Sequence, residues 1–125
     1  MAMTSQLVGR TQDGRGIWRH TETGGANAIL TASKVFGVCS RILGAYCRYS
    51  AAPTQAGVTF AIDSGAGALF DHLISTGTAN AQHSLLLASA LFIGDDDAFP
   101  IVAPAGGVGI TASVSVYTED QKIRQ

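Results

Sequence analysis

The residues of this chain that could do chemistry are few and scattered. Asp63-Ser64-Gly65-Ala66-Gly67 has the letters of an aspartic-protease Asp-Ser-Gly loop and of a glycine-rich phosphate cradle. A phosphate cradle aims backbone N–H groups from a helix N-terminus, usually with a lysine nearby, and neither follows here. A protease dyad needs a second such loop, or a dimer, so that two carboxyls share one proton. Asp71-His72, His83 and Ser64 supply the residue types of a nucleophilic triad, yet no nucleophile elbow or oxyanion signature accompanies them. Asp95-Asp96-Asp97 offers hard oxygens to Ca²⁺ but lacks alternating ligand positions and a downstream carboxylate, so it reads as a turn whose aspartates satisfy local backbone donors. No catalytic, cofactor-binding or metal-ligating residue is expected, and the protein is not expected to be an enzyme.

Cys39 and Cys47 lie on what reads as one extended region. On a single regular strand their separation is about 26 Å, far beyond disulfide reach, and only a bend near Ser40-Arg41 weakens that argument. Two buried free thiols are the expectation. Three sparse groups are left to meet a partner. Leu7 and Val8 are the sizeable apolar side chains of an otherwise polar N-terminal stretch, and Trp18 is the single tryptophan. Trp18 reads first as a cap on the core edge and second as an interface anchor. Tyr46, Tyr49 and Tyr117 are aromatics able to line a ligand site.

The elements that must position these groups are strands. In Gly109 to Tyr117, Ile110, Ala112, Val114 and Val116 fall on one side, and Thr111, Ser113, Ser115 and Tyr117 on the other, which is a half-buried strand. Val58, Phe60 and Ile62 alternate in the same way from Gly57 to Asp63. Such faces need a second apolar layer, and with no long helix in the pattern that layer is another sheet. Val35 to Cys39 and Ile42 to Tyr49 are apolar enough for central strands, with Gly37 and Gly44 marking bends or bulges. Ala68 to Ile74 is open between a strand and a helical turn, and 81–91 between strands and a helix. Ala98 to Ala103 reads as a strand whose Pro100 belongs at an edge. The count is seven to eight strands, matching a two-sheet sandwich or jelly roll. Its expected core is Phe36, Val38, Val58, Phe60, Ile62, Leu85, Leu87, Ile101, Ile110, Val114 and Val116.

At 125 residues the chain is one domain, long enough to bury roughly two-thirds of its unfolded surface. Charged residues make up 14% against 46% apolar, with 15 glycines, the profile of a turn-rich β protein part of whose surface is covered by other chains. Eight basic and nine acidic residues give a net charge of −1, which disfavours a nucleic-acid partner. No apolar run has the length of a membrane span, and Met-Ala-Met-Thr-Ser-Gln lacks the character of a signal peptide, so residence in a cytoplasm, or in something assembled there, is expected.

From Gly57 onward the order of motifs resembles a group of small tailed-phage virion proteins. The resemblance rests on Gly57-Val58-Thr59 entering Asp63-Ser64-Gly65-Ala66-Gly67-Ala68, on Phe70-Asp71, on Gly94-Asp95-Asp96-Asp97, and on Ala103-Pro104-Ala105-Gly106-Gly107 before the last strand. It covers about half the chain, and Phe99-Pro100 departs from it. It implies a β-sandwich or jelly-roll component of the particle, a capsid decoration or cement protein on the head shell, with the major capsid protein or other virion proteins as partners. A tail or head-to-tail connector component is the alternative within that class, and a small-ligand or carbohydrate-binding jelly-roll module is the alternative outside it.

The expected organisation is therefore an all-β chain. An N-terminal arm spans residues 1–15, a jelly-roll-like sandwich of about eight strands spans 16–118, and a polar tail spans 119–125. The arm has too little apolar surface to offset an ordering cost of roughly 1–2 kcal/mol per residue, so it is expected to order only against a neighbouring copy, in a homo-oligomer for which shell symmetry suggests a trimer. Its removal is expected to leave a folded, soluble domain.

Overall fold

The computed structural model describes residues 3–54, 58–63, 68–74, 82–85, 91–94 and 97–123. The organising element is the last strand, Ala112–Asp120, in which every second residue is buried: Ala112, Val114, Val116, Thr118 and Asp120. Numbered in chain order with it as β10, the other strands are β1 (Thr4–Arg10), β2 (Gly16–Thr23), β3 (Leu30–Ala32), β4 (Ser40–Tyr49), β5 (Val58–Asp63), β6 (Ala68–Ile74), β7 (Gln82–Leu85), β8 (Leu91–Ile93) and β9 (Ile101–Ala103). No helix occurs among the described residues. The open question over Ala68 to Ile74 resolves to strand, and so does Gln82 to Leu85 within the second ambiguous stretch.

All pairings are antiparallel. The six-stranded sheet runs β1-β2-β10-β4, with β7 and β8 sharing the far edge of β4, and the four-stranded sheet runs β3-β9-β5-β6. The pairings nest. β2 bonds β10, β3 bonds β9, β4 bonds β7 and β8, and β5 bonds β6, so the chain from β2 onward is one long hairpin wound across two sheets. That nested order is a jelly roll. The expected eight strands are its positions once β7 and β8 are counted as one, and β1 is an addition at the outer edge.

The core lies between the sheets. Ile42, Ala45, Cys47, Tyr49, Ala112, Val114 and Val116 face it from the larger sheet, and Leu30, Ala32, Ile101 and Ala103 from the smaller. Phe36, Phe99, Ile93 and Met3 complete the cluster. Val38 is buried as expected, and Ile110 packs against the cluster only in part. Val58, Phe60 and Ile62 lie in β5 and Leu85 in β7, but their side chains, and Leu87 altogether, fall outside the described residues.

Four expectations need correction. The N-terminal stretch is not an arm awaiting a neighbour, because Thr4–Arg10 pairs with β2 of its own chain and Met3 is buried in the core. In-chain backbone pairing supplies the order that its side chains cannot. Val35 to Cys39 is not a strand; it makes a single bridge from Val35 to Ala98 and then bends at Gly37, whose φ of 82° suits glycine. Pro100 is not on an edge strand, since β9 lies between β3 and β5. The strand starts one residue later, so the missing N–H costs the ladder nothing. The tail does not begin at residue 119, because Glu119 and Asp120 still pair with Arg41 and Ser40 of β4.

The predicted bulge near Gly44 is present. Tyr117 pairs with Gly44 but Thr118 pairs with Ile42, so Leu43 is the extra residue on β4. Val114 is 0% exposed, on the central strand between β2 and β4. A carboxylate there has no partner, and Val114→Asp is expected to cost at least about 4 kcal/mol, a large part of a typical domain's stability. Far-UV circular dichroism and chemical denaturation will show loss of the β signal if this holds.

Candidate functional site

The inward face of the larger sheet changes character along β10. Its first half is apolar, and its second half, Thr118 and Asp120, is buried and polar. Here β2 contributes Gly16, Trp18 and His20. His20 Nδ1 lies 2.8 Å from Ser5 Oγ and its Nε2 lies 3.0 Å from Thr118 Oγ1, while the imidazole packs 4.7 Å from the Phe36 ring. This row of hydroxyl, imidazole and hydroxyl satisfies a buried histidine across three strands. Both ring nitrogens lie within hydrogen-bonding distance of hydroxyls.

Trp18 Nε1 donates to Asp120 Oδ2 at 3.0 Å, and Arg15 Nη1 donates to Glu119 Oε1 at 3.0 Å and to the Asp120 carbonyl at 3.1 Å. Trp18 is thus held half-buried at the polar end of its own core, which agrees with the first of its two readings. The approach is close enough to require glycine beside it. A Cβ on Gly16 would sit 2.6 Å from Trp18 Nε1 and 2.9 Å from Asp120 Oδ2. Gly16→Ala is therefore expected to push the indole off Asp120 and lower stability by about 1–3 kcal/mol. Denaturation followed by the fluorescence of Trp18, the single tryptophan, measures both the loss and the change in indole environment.

The turn between β1 and β2 is built by Thr11 and Arg15. Arg15 donates its backbone N–H to Thr11 Oγ1, Thr11 bonds Asp13, and Gly14 adopts a φ of 88°. The Thr11 hydroxyl, and then Arg15, hold the Asp13 carboxyl below the usual carboxylate range. Leu7 and Val8 lie in the edge strand β1, 39% and 46% exposed, and the register shifts between Leu7 and Gly9 so that Val8 bulges out of the ladder. Of the three side chains expected to meet a partner, Val8 is exposed at the bulge, Leu7 pairs opposite Trp18 on the face that carries Gly16, and Trp18 is tied to Asp120.

The chemical candidates are dispersed. Asp71 and His72 lie in β6 and His83 in β7, in different sheets, while Ser64, Gly65, Ala66, Gly67, Asp95 and Asp96 fall outside the described residues. Asp97 N donates to the Gly94 carbonyl at 3.3 Å across a turn. Among the described residues no group of three or more His, Cys, Asp or Glu side chains is placed to hold a metal ion.

Both cysteines are free, but only Cys47 is buried; Cys39 is exposed because it falls before β4 begins, where no sheet covers it. Burial pushes the Cys47 thiol from 9.0 up to about 12, and burial followed by the neighbouring Cys47 pushes Tyr49 from 10.0 up to about 12. Both groups are harder to ionise folded than unfolded. Their contribution to stability is therefore complete below about pH 9 and is lost as pH rises toward about 12, where the unfolded chain sheds its protons first. Native protein at pH 8 is expected to titrate one thiol with a disulfide reagent, Cys39, and a second only on unfolding. Melting temperature should fall between pH 9 and 12, and less steeply in Cys47→Ala.

The feature that sequence reading missed is a groove on the outer face of the larger sheet, about 720 Å³ in volume and lined by Tyr46, Arg48, Gln82, Ser113, Ser115 and Tyr117 among others. Tyr46 and Tyr117 meet at 5.9 Å with their rings 82° apart. Tyr49, named beside them as a possible ligand-site aromatic, is excluded from it. It points to the opposite face, is buried, and donates its hydroxyl to the Pro104 carbonyl at 2.7 Å. The strand alternation could have separated Tyr46 from Tyr49, because an odd spacing places two residues on opposite faces.

Compared with known proteins, the chain matches no family model, no curated protein and no solved structure.

Proposed function

We propose that this chain is a non-enzymatic structural component of a tailed-phage particle, a decoration or cement protein that acts as a homo-oligomer against the head shell. The observation that supports an assembly role is the surface. With 14% charged residues, the chain exposes Val8 on its open edge strand, Ile29 and Val108 in loops, Phe92 on β8 and Val102 on the outer side of β9. Apolar groups so distributed suit a protein that neighbours surround. The phage setting and the trimer come from the motif resemblance and from shell symmetry, and the jelly roll is compatible with them as a fold used by capsid and lectin domains alike.

Edge strand β1 is the place where a second chain would add, because among the described residues its outer N–H and C=O groups face no partner strand. Val8 is exposed and out of register, so a charge there should not disturb the core. Val8→Lys is expected to leave the melting temperature within a few degrees while shifting the protein toward monomer in light scattering. Deleting residues 1–10, by contrast, removes Met3 from the core and uncovers β2, and is expected to destabilise the domain rather than merely detach it. Electron microscopy of the intact particle, with the protein labelled, separates a head from a tail or connector position; absence from the particle defeats the proposal.

A further inference from the structure

The groove on the outer face of the larger sheet has a chemistry of its own, which the assembly role does not use. We propose that it is a binding site for a short saccharide carrying an acidic group, with one sugar ring stacked on Tyr46 and the acid received by Arg48. The floor is made by the bulge in β4. A Cβ on Gly44 would stand 2.8 Å from Tyr46 Oη and 3.2 Å from its Cζ and Cε2, so the phenol ring lies down over a residue that has no side chain. Tyr46 remains 43% exposed in that position, with Tyr117 standing at 82° beside it as a wall. A ring held flat against backbone, with an open face, is a preformed platform for the C–H face of a pyranose, because the negative π-face attracts polarised C–H groups and no side-chain order is lost on binding.

The hydrogen-bonding groups converge at one end of that platform. Arg48 follows Tyr46 on the same face of β4, paired across to Gln82 on one side and to Ser113 on the other, and Ser115 stands opposite Tyr46. Hydroxyls, an amide and a guanidinium beside an aromatic floor are groups that bond sugar hydroxyls in pairs. Among the described residues Arg48 makes no ion pair and no acidic side chain lines the groove. A carboxylate on the ligand therefore meets a cation that no described acidic side chain neutralises, in the fork geometry that guanidinium favours. This charge match selects an acidic saccharide over a second copy of this chain. The groove's volume of about 720 Å³ lies within the range of small-molecule sites.

The site is independent of the oligomeric state and is tested on the full chain. Isothermal titration with trigalacturonate and 3′-sialyllactose as acidic probes, and with maltotriose and lactose as neutral ones, reads affinity and charge preference together. At least one acidic probe is expected to bind with a Kd of about 1 mM or tighter, and Tyr46→Ala to weaken it roughly tenfold while Tyr46→Phe stays within about threefold. Arg48→Gln is expected to bring acidic and neutral probes to similar affinity. Both positions are exposed, and melting curves verify that the variants fold. The proposal is overturned if no probe binds at about 10 mM, if Tyr46→Ala binds as the parent does, or if that variant changes the molecular mass in solution instead of the affinity. The last result would make the groove a contact between copies.

Discussion

Everything else in this molecule is placed by the double pairing of β10. Its nine residues pair with β4 along one edge and seven of them, Ser113 to Glu119, pair with β2 along the other, so the strand can neither slip nor rotate without breaking both ladders. A slip by one residue would carry Val114 and Val116 to the outer face and Ser113 and Ser115 into the core. The apolar cost of that exchange, added to two broken registers, is what holds the larger sheet in one arrangement. The smaller sheet follows from it, since Leu30, Ala32, Ile101 and Ala103 find their burial against the inner face that β10 defines.

The same strand divides the interior into two chemical zones. Where sheet faces sheet, the side chains are aliphatic. Toward the end of β10 the buried positions become Thr118 and Asp120, and these stay buried because the neighbouring strands bring hydrogen-bonding partners to them: Trp18 to Asp120, and His20 between Thr118 and Ser5. Buried polar groups are tolerated when paired, and here the pairing also fastens β1 and β2 to the end of the sheet. Among the described residues of this face the Glu22 Oε1 is an exception, buried without a hydrogen-bond partner.

The outer face obeys a different constraint. The extra residue in β4 at Leu43 lets Gly44 lie under the Tyr46 ring, so a defect in the ladder on one side of the sheet becomes a surface feature on the other. Bulges are a common way for sheets to re-aim a side chain. Here the re-aimed ring lies over Gly44 and beside Tyr117.

The period-2 alternation at Ile110 to Tyr117, the apolar run at Ile42 to Tyr49, and the spacing of glycines and aspartates between short strands determined by themselves that this is an all-β chain of two layers. They also placed Phe36, Val38, Ile101, Val114 and Val116 in the interior, since side-chain burial within one strand is a local property of its pattern. The nested strand order was beyond them, because the sequence does not say which of several similar strands pairs with which; that choice depends on contacts between residues far apart in the chain. For the same reason the arm at Thr4–Arg10 was legible only as polar and mobile-looking, while its order comes from backbone bonds to β2 that no side chain announces. The polar burial of Asp120 and Thr118 was hidden in what reads as a tail, and the Tyr46 groove depends on a one-residue bulge. Only the tertiary structure decided these, because each arises where two strands meet, and the meeting is set by the summed burial of the whole core rather than by any stretch within it.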